Sequence, residues 1–153
     1  DYMKIYIFLI SFFSIFCFGQ IFEPNADIPE ADEAFKLSAS YDEQILSIKF
    51  DLAPNTYLYF QKIIMEGSEI KNLNPIFEAT IKNKDDIFFG KVQIIDSSFK
   101  ISFTPNLEKK IILMFQGCFQ NKVCYPAQKN NILIKYREKK ISSVKISKIS
   151  SKI

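Results

Sequence analysis

The sequence predicts a single all-β domain, a sandwich or barrel of short strands, on three observations. Apolar runs alternate with polar residues at a period of two, as in half-buried strands. Turn signals separate these runs about every 8–12 residues, the spacing of sandwiches and barrels. Helical periodicity is confined to one turn near Ala31–Phe35.

The elements follow in order. Glu23 to Glu33 is acidic, holds Pro24 and Pro29, and reads as an extended arm over residues 20–34. Leu46, Ile48 and Phe50 alternate with Ile45, Ser47 and Lys49, and Pro54-Asn55 marks a turn. Tyr57-Leu58-Tyr59-Phe60 and Ile63-Ile64-Met65 are aromatic and β-branched, as strands prefer, and Gly67-Ser68 ends them. Phe77 to Ile81 is a further run, and Asn83-Lys84-Asp85-Asp86 reads as a polar turn leading into Ile87-Phe88-Phe89-Gly90. Val92–Ile95, Phe99–Phe103, Ile111–Phe115 and Ile132–Tyr136 complete the domain, expected over residues 35–137. No internal repeat and no second domain is visible.

The N-terminus reads as an export signal over residues 1–19. Met3-Lys4 is basic, Ile5 to Phe18 is apolar, and Gly19 is small enough for cleavage. Asp1-Tyr2 before the Met looks like an upstream extension of the reading frame. A fourteen-residue, nearly unbroken apolar stretch falls short of the roughly 20 that a spanning helix needs, so a retained anchor is the weaker alternative. Bulky Phe16 also disfavours lipid attachment at Cys17. Export implies an oxidising compartment in which a disulfide persists.

Composition is that of a globular domain: 48% hydrophobic residues, with 16 Phe and 7 Tyr. The net charge of +3 is unevenly placed. Residues 1–134 carry 13 Lys against 16 acids, whereas residues 135–153 carry seven cations against Glu138. The body is therefore not a nucleic-acid surface. Residues 138–153, rich in Lys, Ser and Ile, read as a basic linker with a minor membrane-surface role as the alternative.

Cys118 and Cys124 carry the chemistry. With no His in the chain, Ser-His-Asp and Cys-His catalysis are excluded, and two cysteines alone cannot fill a tetrahedral zinc site. Neither a metal nor a cofactor is expected. Five intervening residues allow a tight loop and hence a disulfide, worth only about 2 kcal/mol by chain entropy. A structural staple and a reactive dithiol both fit, and the Cys-x-x-Cys spacing of a thioredoxin fold is absent. Phe115, Phe119 and Tyr125 flank the pair, with Lys122 the only cation nearby in sequence. Apolar surroundings raise a thiol pKa, so the pair is expected to be sluggish until a partner rearranges its surroundings.

Three blocks carry a resemblance: Tyr57-Leu58-Tyr59, then Asp86-Ile87-Phe88-Phe89-Gly90-Lys91, then Gln116-Gly117-Cys118-x5-Cys124-Tyr125-Pro126. Together they resemble the N-terminal periplasmic domain of the thiol:disulfide interchange protein DsbD, and the last block is the specific one. The resemblance implies an immunoglobulin-like β-sandwich with Cys118 and Cys124 as a redox pair at one end. It implies a cap loop over the pair, with Phe88 at its aromatic tip and Asp86, Phe89 and Gly90 beside it. Tyr57, Tyr59, Tyr125 and Pro126 would line the site. Without the resemblance, Phe88 and the two strand tyrosines would read as ordinary packing residues.

By the same resemblance, electrons come from a thioredoxin-like domain through a membrane relay domain, both absent from this chain. They pass to exported thioredoxin-fold proteins such as a DsbC-like isomerase and the cytochrome c maturation thioredoxin, with Cys124 bonding the partner and Cys118 resolving. No small-molecule substrate is implied, and the location is the periplasm, at the inner membrane if the protein is longer. Ile87 departs from the family pattern, standing where a second acid is usual. Ending at Ile153 fits either a fragment of a longer protein or a stand-alone relay. The rival function is an exported β-sandwich binding module with an inert disulfide. An inactive structural fragment is a third reading.

Overall fold

Runs of β-branched and aromatic residues pair because each buries one face while its backbone groups bond to a neighbour. The computed structural model describes residues 27–67 and 73–150, and within them forms thirteen strands in three sheets. The leader expected at residues 1–19 lies outside the described residues.

A single helical turn, α1 (Ala31–Ala34), opens the described chain and buries Ala34 completely. It leads into β1 (Phe35–Asp42), β2 (Ile45–Leu52) and β3 (Thr56–Tyr59), then a 3₁₀ turn at Phe60–Lys62. Next come β4 (Ile64–Glu66), β5 (Ile76–Glu78), β6 (Lys82–Asp86), β7 (Gly90–Ile95), β8 (Phe99–Phe103) and β9 (Lys110–Phe115). The chain closes with β10 (Gly117–Phe119), β11 (Val123–Cys124), β12 (Gln128–Arg137) and β13 (Lys140–Lys148). The sheets run β1-β2-β8-β5, β11-β10-β3-β7-β6 and β13-β12-β9-β4, with every pairing antiparallel.

All three sheets feed one apolar core. Leu46, Ile48 and Phe50 enter it from β2, Leu58 from β3, Ile111, Leu113 and Phe115 from β9, and Phe119 from β10. Phe50 stacks on Phe99 with ring centres 4.5 Å apart and meets Phe115 edge-on at 5.3 Å, both favoured aromatic geometries.

Three expectations are corrected. Within the expected linker, residues 140–148 form β13, which pairs with β12 from Lys148↔Asn130 to Lys140↔Arg137 and buries Ile141. Glu138 and Lys139 both sit at positive φ, 51° and 65°, as a two-residue hairpin loop requires; the usual signal for that loop is Asn-Gly, so Glu-Lys concealed it. The end of the expected extended arm is likewise attached: Tyr125 donates from its hydroxyl to the Pro29 carbonyl at 2.6 Å, and Lys148 pairs with Asp32. Finally, the polar stretch Asn83–Asp86 is strand β6, not a turn. It is polar because it lies at a sheet edge, where charge is tolerated and discourages edge-to-edge pairing.

Among the described residues no helix is long and apolar enough to cross a membrane.

Candidate active site

Strand alternation sends neighbouring side chains to opposite faces, and in β3 both faces are buried. Leu58 enters the main core, while Tyr57 and Tyr59 join Ile94 and Cys118 in a separate small cluster. β10 lies against β3 in the register Gly117↔Leu58 and Cys118↔Tyr57. Gly117 is required there, since a Cβ would stand 2.3 Å from the Tyr57 carbonyl oxygen and 2.6 Å from the Phe35 ring.

The cysteines face each other across the β10–β11 hairpin. Tyr125 N–H donates to Gly117 O at 3.0 Å, which makes Cys118↔Cys124 a non-hydrogen-bonded pair, the position where antiparallel strands come closest. Their Cα atoms are 4.0 Å apart and their sulfurs form a disulfide. Cys118 is fully buried, whereas Cys124 is only partly so.

Tyr59 connects the sulfurs to a carboxylate. Its hydroxyl oxygen lies 3.0 Å from Cys118 Sγ and 3.5 Å from Cys124 Sγ, and donates to Asp86 Oδ1 at 2.9 Å. Tyr57 donates to Asp86 Oδ2, and the backbone N–H groups of Phe88 and Phe89 donate to Oδ1 at 2.9 and 3.1 Å. Burial opposes the Asp86 charge, but the donors Tyr57, Phe88 N–H, Tyr59 and Phe89 N–H outweigh it and hold the carboxyl below its ordinary range. Burial, reinforced by the bond to Asp86, pushes the Tyr57 phenol up to about 12. Burial and its bonds to Tyr57 and Asp86 also push Tyr59 upward. Near neutrality both tyrosines therefore keep their protons and Asp86 is ionised. Since Tyr59 gives its one proton to Asp86, a reduced cysteine can donate its S–H to the Tyr59 oxygen.

The expected cap residues lie in the loop between β6 and β7, where Asp86 pairs with Gly90. Gly90 adopts φ 72°, the left-handed conformation such a three-residue loop needs. Ile87, Phe88 and Phe89 at its tip are 64%, 44% and 47% exposed. The aromatic cover differs from expectation: the ring against Tyr59 is Phe89, edge-on at 5.0 Å, while the contact recorded for Phe88 is its backbone bond to Asp86.

The other expected site residues divide. Tyr59 reaches both sulfurs, and Asp86 and Tyr57 join it through hydrogen bonds. Tyr125 does not: its ring belongs to the main core, edge-on to Phe35 at 5.5 Å, because one step beyond Cys124 reverses the face. Pro126 is exposed, and its carbonyl accepts from Gln128 Nε2 at 2.7 Å. The cations beside the site are Lys62, over Tyr59 and Phe89, and Lys84, 5.2 Å from the centre of the Tyr57 ring, and not Lys122, which lies exposed in the hairpin turn. Lys62 Nζ sits 3.4 Å from the centre of the Phe89 ring and donates to Gln116 Oε1 at 2.8 Å. Nothing in the sequence marked Lys62. Gln116 stood in the cysteine block without a role.

Fold and site together define an immunoglobulin-like β-domain that holds an apposed cysteine pair next to a tyrosine–aspartate network. The chain belongs to the family described as thiol:disulfide interchange protein DsbD, N-terminal, whose family model matches residues 25–135. It is 30% identical over 135 residues to the thiol:disulfide interchange protein DsbD of Haemophilus influenzae (strain PittGG), covering 82% of this chain and 23% of that protein. The chain spans about a fifth of the length of the curated relatives it matches.

Two solved structures share the fold. The DsbD N-terminal domain of Neisseria meningitidis in its reduced form aligns with TM-score 0.61 at 22% identity, over 81% of this chain and 97% of that one. A complex between the DsbD N-terminal and PilB N-terminal domains of the same organism aligns with TM-score 0.57 at 23% identity, over 69% and 85%.

Proposed function

We propose that this domain exchanges thiols and disulfides with exported thioredoxin-fold proteins, using Cys118 and Cys124 as its redox pair. The observation that carries the reading is the unequal burial of two apposed cysteines: Cys118 is sealed beneath Tyr59, while Cys124 is partly accessible. The Cys124 thiolate of the reduced domain attacks the partner's disulfide. One S–S bond breaks, a mixed disulfide forms, and one partner thiolate leaves. The Cys118 thiolate then attacks Cys124 Sγ, closes the domain's own disulfide and releases the second partner sulfur. Two electrons have moved to the partner, whose two thiolates take up protons.

Tyr59 and Asp86 support the proton side of the exchange. A Cys118 S–H bonded to the Tyr59 oxygen lies one hydrogen bond from an ionised carboxylate. With Ile87 exposed at the cap tip, Asp86 is the acid that the tyrosines face. The partner class is supported by the PilB complex of a relative, and the isomerase and the cytochrome c maturation thioredoxin are proposed within it. Re-reduction would come from a thioredoxin-like donor through a membrane relay, at the periplasmic face of the inner membrane.

Trapping tests this reading. Cys118→Ala, which leaves Cys124 without its resolving partner, should yield a disulfide-linked heterodimer with an oxidised exported thioredoxin-fold protein, visible on a non-reducing gel and dissolved by dithiothreitol. Cys124→Ala should yield far less. Failure of both variants to link would leave an inert staple in a binding module as the better account.

A further inference from the structure

We propose that Lys62 is a positioning residue that clasps the cap loop over the cysteine pair. This deepens the exchange reading and rests on it. The cap has few holds: three tip residues stand roughly half or more exposed, two backbone bonds to Asp86 anchor its root, and Phe89 meets Tyr59 edge-on at 5.0 Å. Lys62 adds an anchor on the outer face of the Phe89 ring from the turn after β3. The 3₁₀ turn Phe60–Lys62 directly follows Tyr59 and carries the ammonium back over the Tyr59 ring, 5.1 Å from its centre.

From there Lys62 Nζ faces the Phe89 ring at 3.4 Å, well inside the roughly 6 Å reach of a cation–π contact. The same ammonium donates to Gln116 Oε1 at 2.8 Å, and Gln116 Nε2 donates to Tyr125 O at 3.0 Å. Gln116 immediately precedes β10 and Tyr125 immediately follows β11, so these bonds tie the cap to both ends of the cysteine hairpin without using either sulfur. Among the described residues Lys62 forms no ion pair with a carboxylate. Its recorded partners are two ring faces and one amide.

The clasp gives the cap a defined resting position that an incoming partner must displace. Aromatic cover comes from Phe89, and Lys62 sets how often that cover lifts. Losing a cation–π contact of this kind should raise the open fraction about two- to fivefold.

The test is the rate at which iodoacetamide alkylates the reduced protein. Lys62→Met keeps the length and apolar stem but removes the charge and the donor, and should react about two- to fivefold faster than the parent. Lys62→Arg restores a cation for the ring and a donor for Gln116, and should return the rate to the parental value. In a Phe89→Leu background, Lys62→Met should add nothing, because the ring it held is gone. That background keeps the test decisive should Lys62→Met lower stability, since instability would raise the rate there too. An unchanged or slower rate for Lys62→Met, no rescue by Arg, or a full additional rise in the Phe89→Leu background would each overturn the clasp. Heterodimer trapping is read separately, so the exchange function stands or falls independently of these rates.

Discussion

The two buried clusters are built from the same strands and do opposite things. Leu58 and Phe119 send one face of β3 and β10 into the main core, while Tyr57, Tyr59 and Cys118 send the other face into the small cluster. The main core is aliphatic and aromatic, and its stability comes from area removed from water. The small cluster buries phenols, sulfur and a carboxylate, which is costly unless every polar atom is bonded, and here Asp86 accepts four hydrogen bonds. One face holds the fold. The other is a polar network whose protons and sulfurs can change state while the first remains fixed.

Substitutions on the two sides should therefore separate stability from chemistry. The largest effect belongs to the core: Phe50→Ala, at a fully buried ring stacked on Phe99, should cost about 3–5 kcal/mol in denaturant unfolding. It should leave the reduction potential of the cysteine couple unchanged while the domain is folded. A shifted potential would mean that the clusters are not separable.

A smaller, pH-dependent effect belongs to the network. Asp86 is held below its ordinary range, so its ionised form stabilises the fold above the unfolded value near 4. That stabilisation is lost as pH falls through the lower folded value. Asp86→Asn should thus cost about 1–3 kcal/mol at pH 7, and the gap to the parent should narrow towards pH 2. Unfolding curves at several pH values check this, and a constant gap would remove the carboxylate charge from the account.

The smallest effect belongs to the cap. Phe89→Ala should speed alkylation of the reduced pair by roughly 2–10-fold for the loss of one edge-on ring contact, whereas Phe88→Ala, which keeps the backbone bond to Asp86, should stay close to the parental rate. If Phe88→Ala instead matches Phe89→Ala, Phe88 is part of the shield.

Much of this contrast was legible in the chain, and the gaps have physical causes. Leu46, Ile48 and Phe50, or Ile111, Leu113 and Phe115, declare a strand because one face of each is buried and the other is not. β6 was hidden because this edge strand, Lys82–Asp86, carries only polar side chains, and β13 because Glu138-Lys139 makes its turn without the residues that usually do. At the site, Cys118, Cys124, Tyr57 and Tyr59 were readable from type and spacing combined with the family resemblance. Tyr125 was misplaced even though alternation beyond Cys124 turns it towards the core. Lys62 left no signal, because its role depends on a 3₁₀ turn that brings together residues 27 and 54 positions away, Phe89 and Gln116.

The reduction potential of the Cys118–Cys124 couple, measured by equilibration with glutathione or dithiothreitol buffers, tests the central claim most directly. An exchanging pair should fall in the range of the thiol–disulfide oxidoreductases, roughly −120 to −270 mV. A value below about −300 mV would mark the bond as a permanent structural link and contradict the account.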